Sequence, residues 1–233
     1  MDILVVDIGG SHVKMLATGQ PKSRRFDSGK HLTPDHLVER VRKMTADWRY
    51  DVVSLGVPGL VGPAGPEDEP GNLSDGWVGY DYAAGFGKPV RVANDAALQA
   101  LGGYVGGRML FLGLGTGLGS ALVADRVVVP LELGDLPYSR RETLADRLGK
   151  AGLAQHGPDA WVRAVAEVTA NLRDAFAADY ILLGGGNAKL VHPLPEGVRR
   201  GGNKDAFTGG FRLWEEDVEP HDRPPSAAWR VVR

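Results

Sequence analysis

Short apolar runs separated by turn-forming residues set the rhythm of the chain. Ile3 to Val6 is a continuous apolar run of strand length, followed by Asp7-Ile8-Gly9-Gly10-Ser11 and a second run from Val13 to Ala17. Two such runs around a glycine pair predict a hairpin. Thr33-Pro34-Asp35 reads as a helix start: a capping hydroxyl, a proline in the first turn and an acid near the positive dipole end. Leu37, Val38, Val41, Met44 and Trp48 continue it at helical spacing. Val52 to Val57 and Val90 to Ala93 predict buried strands, and Asn94-Asp95 opens a helix running to about Leu101.

The second half repeats the theme. Met109 to Leu114 predicts a strand and Gly115-Thr116-Gly117 a turn, with Ser120 to Ala124 and Val127 to Val129 forming another hairpin. Pro158 to Ala178 is the longest predicted helix, with Trp161, Val162, Val165, Val168, Leu172 and Phe176 on its apolar side. Tyr180 to Leu183 predicts a strand leading into Gly184-Gly185-Gly186. Pro58 to Gly79 is a long Gly-, Pro- and Asp-rich loop, and loops of that length are usually functional or mobile.

Strand hairpins alternating with crossover helices imply an α/β fold in two lobes. The expected boundaries are 1–106 for the first lobe, 107–214 for the second and 215–233 for a charged, Pro-rich tail. That tail is expected to wrap or fray, apart from Trp229 and its neighbours. There is no short tandem repeat, but strand-Asp-Gly-Gly-strand at the start is weakly echoed by strand-Gly-Thr-Gly-strand in the middle.

Composition narrows the class. Of 233 residues 43% are hydrophobic, enough for a sizeable core, and the net charge of -2 argues against a nucleic-acid partner. With no cysteine, disulfides, thiolate zinc sites and thiol nucleophiles are removed together. The apolar start is short and flanked by Asp2 and Asp7, unlike a secretory signal. No run approaches the roughly 18 residues that span a bilayer. The expectation is a cytoplasmic protein without a membrane partner, in which the Asn72-Leu73-Ser74 sequon is a chance match. The informative excess is glycine: 33 residues, about twice the usual share of roughly 7%. Their clustering suggests close backbone approach to ligands.

Each candidate cluster has a chemical and a plainer reading. In Asp7-Ile8-Gly9-Gly10-Ser11-His12-Val13-Lys14 the glycines let backbone N–H groups approach phosphate, Ser11 adds a hydroxyl and Lys14 a cation. Asp7, at a strand end, could hold Mg²⁺ directly or through water. An ordinary hairpin turn with a solvated lysine would use the same residues. Gly113-Leu114-Gly115-Thr116-Gly117-Leu118-Gly119-Ser120 offers a concave run of donors, an anion cradle; a packed glycine hairpin is the alternative. It is neither a P-loop nor the dinucleotide fingerprint. Asn94-Asp95 is either a helix cap or carries a general base for a sugar hydroxyl. The glycines from Gly184 to Gly186 suit a flat ring or a simple turn. Glu132-Leu133-Gly134-Asp135 suits polyol hydroxyls or a solvated loop.

Taken together, these clusters resemble the ROK family of sugar kinases, and within it the bacterial polyphosphate glucokinases. The resemblance covers roughly Asp2 to Trp214. It rests on the order of the Asp7–Lys14 opening, Pro58-Gly59, Asn72 before Gly76-Trp77-Val78-Gly79, Asn94-Asp95, Leu114-Gly115-Thr116-Gly117-Leu118-Gly119-Ser120-Ala121-Leu122, Glu132-Leu133-Gly134 and the late triple glycine. It implies a ribonuclease-H-like, actin/hexokinase-type fold with a cleft between the lobes, and a phosphotransferase using Mg²⁺ with ATP or polyphosphate. Asp95 would be the catalytic base, and Asp7 would organise Mg²⁺ and phosphate. Gly9, Gly10, Ser11, Lys14, Gly115, Thr116 and Gly117 would cradle donor phosphates, and Gly185 and Gly186 would lie near a nucleotide base. Gly59, Asn72, Asn94, Asp95, Glu132, Asp135 and Glu142 would hold the sugar. A homodimer is implied.

The chain departs from the family where Asp135 replaces the usual His after Glu-x-Gly. It also lacks the family's cysteine-rich zinc motif, so no zinc is expected. The segment between Pro130 and Gly157 is compressed, and Gly201 to Gly210 replaces the usual C-terminal pattern. The alternatives are a non-catalytic sugar-binding or regulatory relative, or a kinase for a different sugar or amino sugar.

Overall fold

The computed structural model describes residues 1–125, 127–202 and 204–215. The chain divides into two compact units, one of Met1–Leu98 with the segment that begins at Ala206, the other Gln99–Asp205.

The first unit is built on β1 (Ile3–Ile8), buried at every position because strands flank it on both sides. It pairs antiparallel with β2 (His12–Ala17), which pairs with β3 (Arg24–Asp27). α1 (Pro34–Met44) starts where Thr33 Oγ1 accepts the His36 N–H, and it buries Leu37, Val38 and Val41 in the cluster holding Leu4, Val6 and Leu55. β4 (Val52–Val57) follows, then the little hairpin β5 (Val61–Gly62) and β6 (Gly65–Pro66), α2 (Tyr82–Phe86) and β7 (Val90–Asn94). Strands β1, β4 and β7 run parallel, in the five-stranded order β3-β2-β1-β4-β7.

Two local expectations are corrected. β3 was not foreseen: of Arg24-Arg25-Phe26-Asp27 only Phe26 is buried, so this edge strand carries no apolar run. α1 ends before Trp48, because Thr45 turns its hydroxyl back onto the Val41 carbonyl at 2.8 Å. Trp48 is buried from the following loop, with the Arg24 guanidinium 4.2 Å over its ring.

α3 (Asp95–Gly103) carries the chain into the second unit. There β8 (Met109–Leu114), β9 (Leu118–Ala124) and β10 (Val127–Leu131) form a meander. α4 (Leu144–Leu148), α5 (Lys150–His156) and α6 (Pro158–Ala175) lead to β11 (Tyr180–Gly184) and β12 (Val198–Arg200). The sheet order is β10-β9-β8-β11-β12, with β8, β11 and β12 parallel. α6 stops at Ala175, short of the expected Ala178, and Ala177 adopts φ 47°. Its Trp161, Val165, Val168 and Leu172 pack with Leu110, Leu112 and Leu183.

α7 (Asp205–Arg212) returns to the first unit, where Phe207 joins Ile3, Val5 and Val52. A Cβ at Gly210 would lie 2.3 Å from Val5 Cγ1, so only glycine lets the helix approach β1 this closely. Ser54 Oγ donates to the Gly210 carbonyl at 2.6 Å and accepts the Trp214 indole N–H at 2.9 Å. The unit boundaries thus fall at 98/99 and 205/206, where the sequence reading set them at 106/107 and 214/215. Of the tail, Glu215 is described; the remainder, with Trp229, lies outside the described residues. Among the described residues no helix is long and apolar enough to cross a membrane.

Candidate functional site

In the first unit the parallel strands bring their carboxyl ends to one edge of the sheet, the usual ligand side of an open α/β sheet. Asp7 is the penultimate residue of β1, paired with Lys14 on β2 and Gly56 on β4. Only 4% of it is exposed, and its buried Oδ1 has no hydrogen-bond partner. Burial pushes its carboxyl up from 3.8 to about 6, against the opposing pull of Lys14.

Gly56 lies beside both Asp7 and the start of α3. A Cβ there would lie 3.6 Å from Asp7 Oδ1, 3.6 Å from Asp95 Cα and 2.8 Å from Leu98 Cδ1. The missing side chain leaves the carboxylate of one strand and the start of α3 both close to one glycine. Asp95 Oδ1 accepts the Ala96 N–H at 2.9 Å. Asn94 is buried with both ends of its amide engaged, Nδ2 donating to the Gly59 carbonyl at 2.8 Å and Oδ1 accepting the Ala97 N–H at 3.0 Å. It therefore caps α3 and ties it to the Pro58-Gly59 turn, where Gly59 holds φ 90°.

The β1–β2 turn is braced from one side. Gly9 donates to the His12 carbonyl at 3.0 Å, and the Gly9 and Ser11 carbonyls accept the hydroxyl and N–H of Ser28. Gly10, Ser11 and Lys14 stay exposed. Asn72 sits in a loop closed by Glu69, whose carboxylate accepts the N–H groups of Trp77 at 2.9 Å and Val78 at 3.4 Å. Those backbone donors hold its pKa down.

In the second unit Gly115, Thr116 and Gly117 turn β8 into β9, and Thr116 is exposed. The loop rests on the α4–α5 junction: the Lys150 N–H donates to the Gly115 and Thr116 carbonyls at 3.0 and 3.2 Å. Gly185, at φ 79°, packs on the same loop's base, where a Cβ would lie 2.5 Å from the Leu114 carbonyl oxygen. Gly186 faces open space. Glu132 and Asp135 bracket a 3-10 turn held by Ser120, whose hydroxyl donates to the Leu131 carbonyl and accepts the Leu133 N–H. Partial desolvation raises the Glu132 carboxyl, and the Asp135 charge adds to it. Glu142 pairs with His156 at 3.0 Å. With Ser139, Arg141 and Gln155, Glu142 lines a cavity of about 540 Å³.

Each unit thus gathers its own share of the predicted residues. The first joins Asp7, the glycine turn, Lys14, Asn94 and Asp95. The second joins Gly115–Gly117 to Gly185 and sets Glu132 beside Asp135. Sequence reasoning missed Gly56, Glu69, Gly149, Lys150 and His156. Gly56 left a signal, since an isolated glycine inside an apolar strand marks close approach. Lys150 left none, because it acts on backbone far along the chain, and Glu69 left none because its contact is set by the fold of a loop without periodic pattern.

No protein-family model matches the chain, and no curated protein matches its sequence. Solved structures do match. The inorganic polyphosphate/ATP-glucomannokinase from Arthrobacter sp. strain KM is similar at a TM-score of 0.78 and 22% identity, over 90% of this chain and 96% of that one. A ROK family glucokinase from Streptomyces griseus, solved with glucose and AMPPNP, gives 0.71 and 17% over 91% and 99%. The chain has the fold of the ROK sugar kinases. A ROK family transcriptional regulator, a homolog of the E. coli MLC protein, matches at 0.62 and 16% over 91% and 77%. The ROK fold therefore serves both catalysts and regulators, and the choice between them falls to the residues of the site.

Proposed function

We propose that the protein is a kinase that transfers a phosphoryl group from polyphosphate or ATP, with Mg²⁺, to a hydroxyl of a glucose-like hexose. The observation that carries this reading is the buried Asp7, its Oδ1 unpartnered, at the carboxyl end of β1 in the sheet whose parallel strand β7 leads into Asp95. Phosphoryl transfer asks a protein chiefly for alignment and charge neutralisation. Asp95 takes the proton of the attacking hydroxyl. Gly9, Gly10, Ser11, Lys14, Gly115, Thr116 and Gly117 hold donor phosphates. Gly185 and Gly186 offer a flat surface to a nucleotide base. Gly59, Asn72, Asn94, Glu132, Asp135 and Glu142 hold sugar hydroxyls, Asn94 through the turn it anchors.

The residues present fit Mg²⁺. That ion takes hard oxygen ligands, commonly one or two carboxylates completed by water and substrate phosphates. The unpartnered Asp7 Oδ1 is such a donor. Among the described residues no group of three or more acidic or histidine side chains forms an all-protein cage. When bound, the ion neutralises donor phosphate charge. A cytoplasmic homodimer completes the reading.

Asp135 supports a second reading, a non-catalytic sugar-binding or regulatory protein, because it sets a second carboxylate beside Glu132 in place of the family's His. It equally suits a kinase for another sugar or an amino sugar. A ³¹P NMR screen decides: sugars with Mg²⁺ and either ATP or polyphosphate, against wild type and Asp95→Asn. We expect sugar phosphate from wild type alone. Sugar binding without turnover for any pair would replace the kinase by the second reading.

A further inference from the structure

We infer that the backbone N–H of Lys150 is the positioning group that turns the Gly115–Gly117 loop toward the donor's phosphates. The inference rests on the reading of that loop as a phosphate cradle. The Lys150 N–H donates to both the Gly115 and the Thr116 carbonyl, at 3.0 and 3.2 Å. A trans peptide points its carbonyl and the following N–H in opposite directions. With those two carbonyls held against α5, the N–H groups of Thr116 and Gly117 face away from it. One donor at the start of a helix thereby fixes the direction of two amides in a flexible glycine turn. The third amide of the turn is used internally, since Gly115 donates to the Gly117 carbonyl at 3.2 Å.

The residue before the anchor is shaped for the same contact. A Cβ at Gly149 would lie 2.7 Å from the Thr116 carbonyl oxygen, 3.2 Å from Gly117 Cα and 2.5 Å from the Ala145 carbonyl oxygen. Any side chain there would push the loop off α5. The Lys150 side chain, in contrast, is exposed. The ligand class is a polyanion presenting several phosphate oxygens, because two neighbouring backbone amides and the Thr116 hydroxyl are hydrogen-bond donors for such oxygens.

The anchor can be removed from outside the loop, by a proline whose ring deletes the N–H and pushes the two carbonyls away. Lys150 is the first residue of α5, where proline is tolerated. Gly149 is extended (φ −75°, ψ −177°), as a residue preceding proline must be. Lys150→Pro is expected to raise the donor KM about tenfold, the effect of losing a shared hydrogen bond that orients two others, with the sugar KM within about twofold. Lys150→Ala keeps the N–H and is expected to leave the donor KM within about twofold of wild type. An equal rise in Lys150→Ala would assign the effect to side-chain charge and overturn the inference. An unchanged Lys150→Pro overturns it too. In that case Gly117→Pro, which deletes a cradle amide itself, separates the two failures. A raised donor KM there leaves the cradle standing without its anchor, and an unchanged one removes the cradle reading as well. A measurement on wild type needs no variant to fold: titration of ¹⁵N-labelled protein with magnesium tripolyphosphate. The Thr116 and Gly117 amide signals are expected to move downfield. Static signals there, with shifts elsewhere showing that tripolyphosphate binds, would overturn the inference.

Discussion

The two units carry the same sheet order twice, and they differ in what stands near the end of the central strand. In each, a central strand forms a hairpin on one side and runs parallel to two strands on the other, in the orders β3-β2-β1-β4-β7 and β10-β9-β8-β11-β12. The registers superpose Asp7 of β1 on Gly113 of β8. Asp7 lies opposite Gly56, and Gly113 lies opposite Gly184. Both sheets keep a glycine on the second parallel strand, for different reasons. At Gly56 a Cβ would lie 2.8 Å from Leu98 Cδ1 of α3, whereas at Gly184 it would meet the Phe111 ring at 2.5 Å. One unit gives the cleared space to a helix leucine and the other to an aromatic ring. The same architecture thus carries a buried carboxylate near the end of its central strand in one copy and a glycine at the matched position in the other.

The largest expected effect tests the charged side of this comparison. Asp95→Asn should lower turnover about 10²–10⁴-fold, the usual worth of a positioned general base, while calorimetry finds sugar binding retained. Turnover within about twofold of wild type would remove Asp95 from that role.

Next is an attempt to make the units alike. Gly113→Asp places a carboxylate beside the Phe111 ring, 3.2 Å from the new Cβ. No counterpart of Lys14 stands opposite, because Gly113 pairs with Gly119. Gly113 is only half-buried, so the unpaired charge is partly desolvated and denaturant unfolding should show a loss of about 1–3 kcal/mol. A fully stable variant would show that the matched positions are equivalent after all.

The converse change, Asp7→Asn, should stabilise the protein, and only at higher pH. The folded-state pKa of Asp7 stands at about 6 against an ordinary 3.8. The folded protein therefore binds the proton more tightly than the unfolded chain. Stability from this group is full below about 4 and is lost as pH rises through about 6. At pH 8 the buried carboxylate costs about 3 kcal/mol, taking about 1.4 kcal/mol for each pH unit between the two values. Thermal unfolding without Mg²⁺ should rank Asp7→Asn above wild type at pH 8 and level with it at pH 4. Equal melting at both values would mean that Asp7 is solvated.

The smallest effect concerns α7, the helix that returns the chain to the first unit. Ser54→Ala leaves the Gly210 carbonyl and the Trp214 indole N–H without their partner. A cost of about 1–3 kcal/mol in unfolding free energy is expected, the penalty for stranding buried polar groups. No change would mean that the α7 contact is held by Phe207 packing alone.

The sequence by itself determined the strands, the long α6 and the glycine turns. These are local: an apolar run of strand length, a helical period or a glycine pair states its own conformation. Asp7 and Asp95 were legible as candidates because each sits where an apolar run gives way to polar residues. The tertiary structure decided what local pattern cannot express. Arg24–Asp27 became a strand only because β2 offered an unpaired edge. Ala206 to Trp214 returned to the first unit because Gly210 let α7 lie against Val5 and Ser54. Glu142 met His156, and the Lys150 N–H met the Gly115 loop, through folding that brings distant segments together. A carboxylate's partner, and therefore its charge at a given pH, is a property of space and not of sequence order. That is why the residues of the site could be named from the sequence while their geometry waited for the fold.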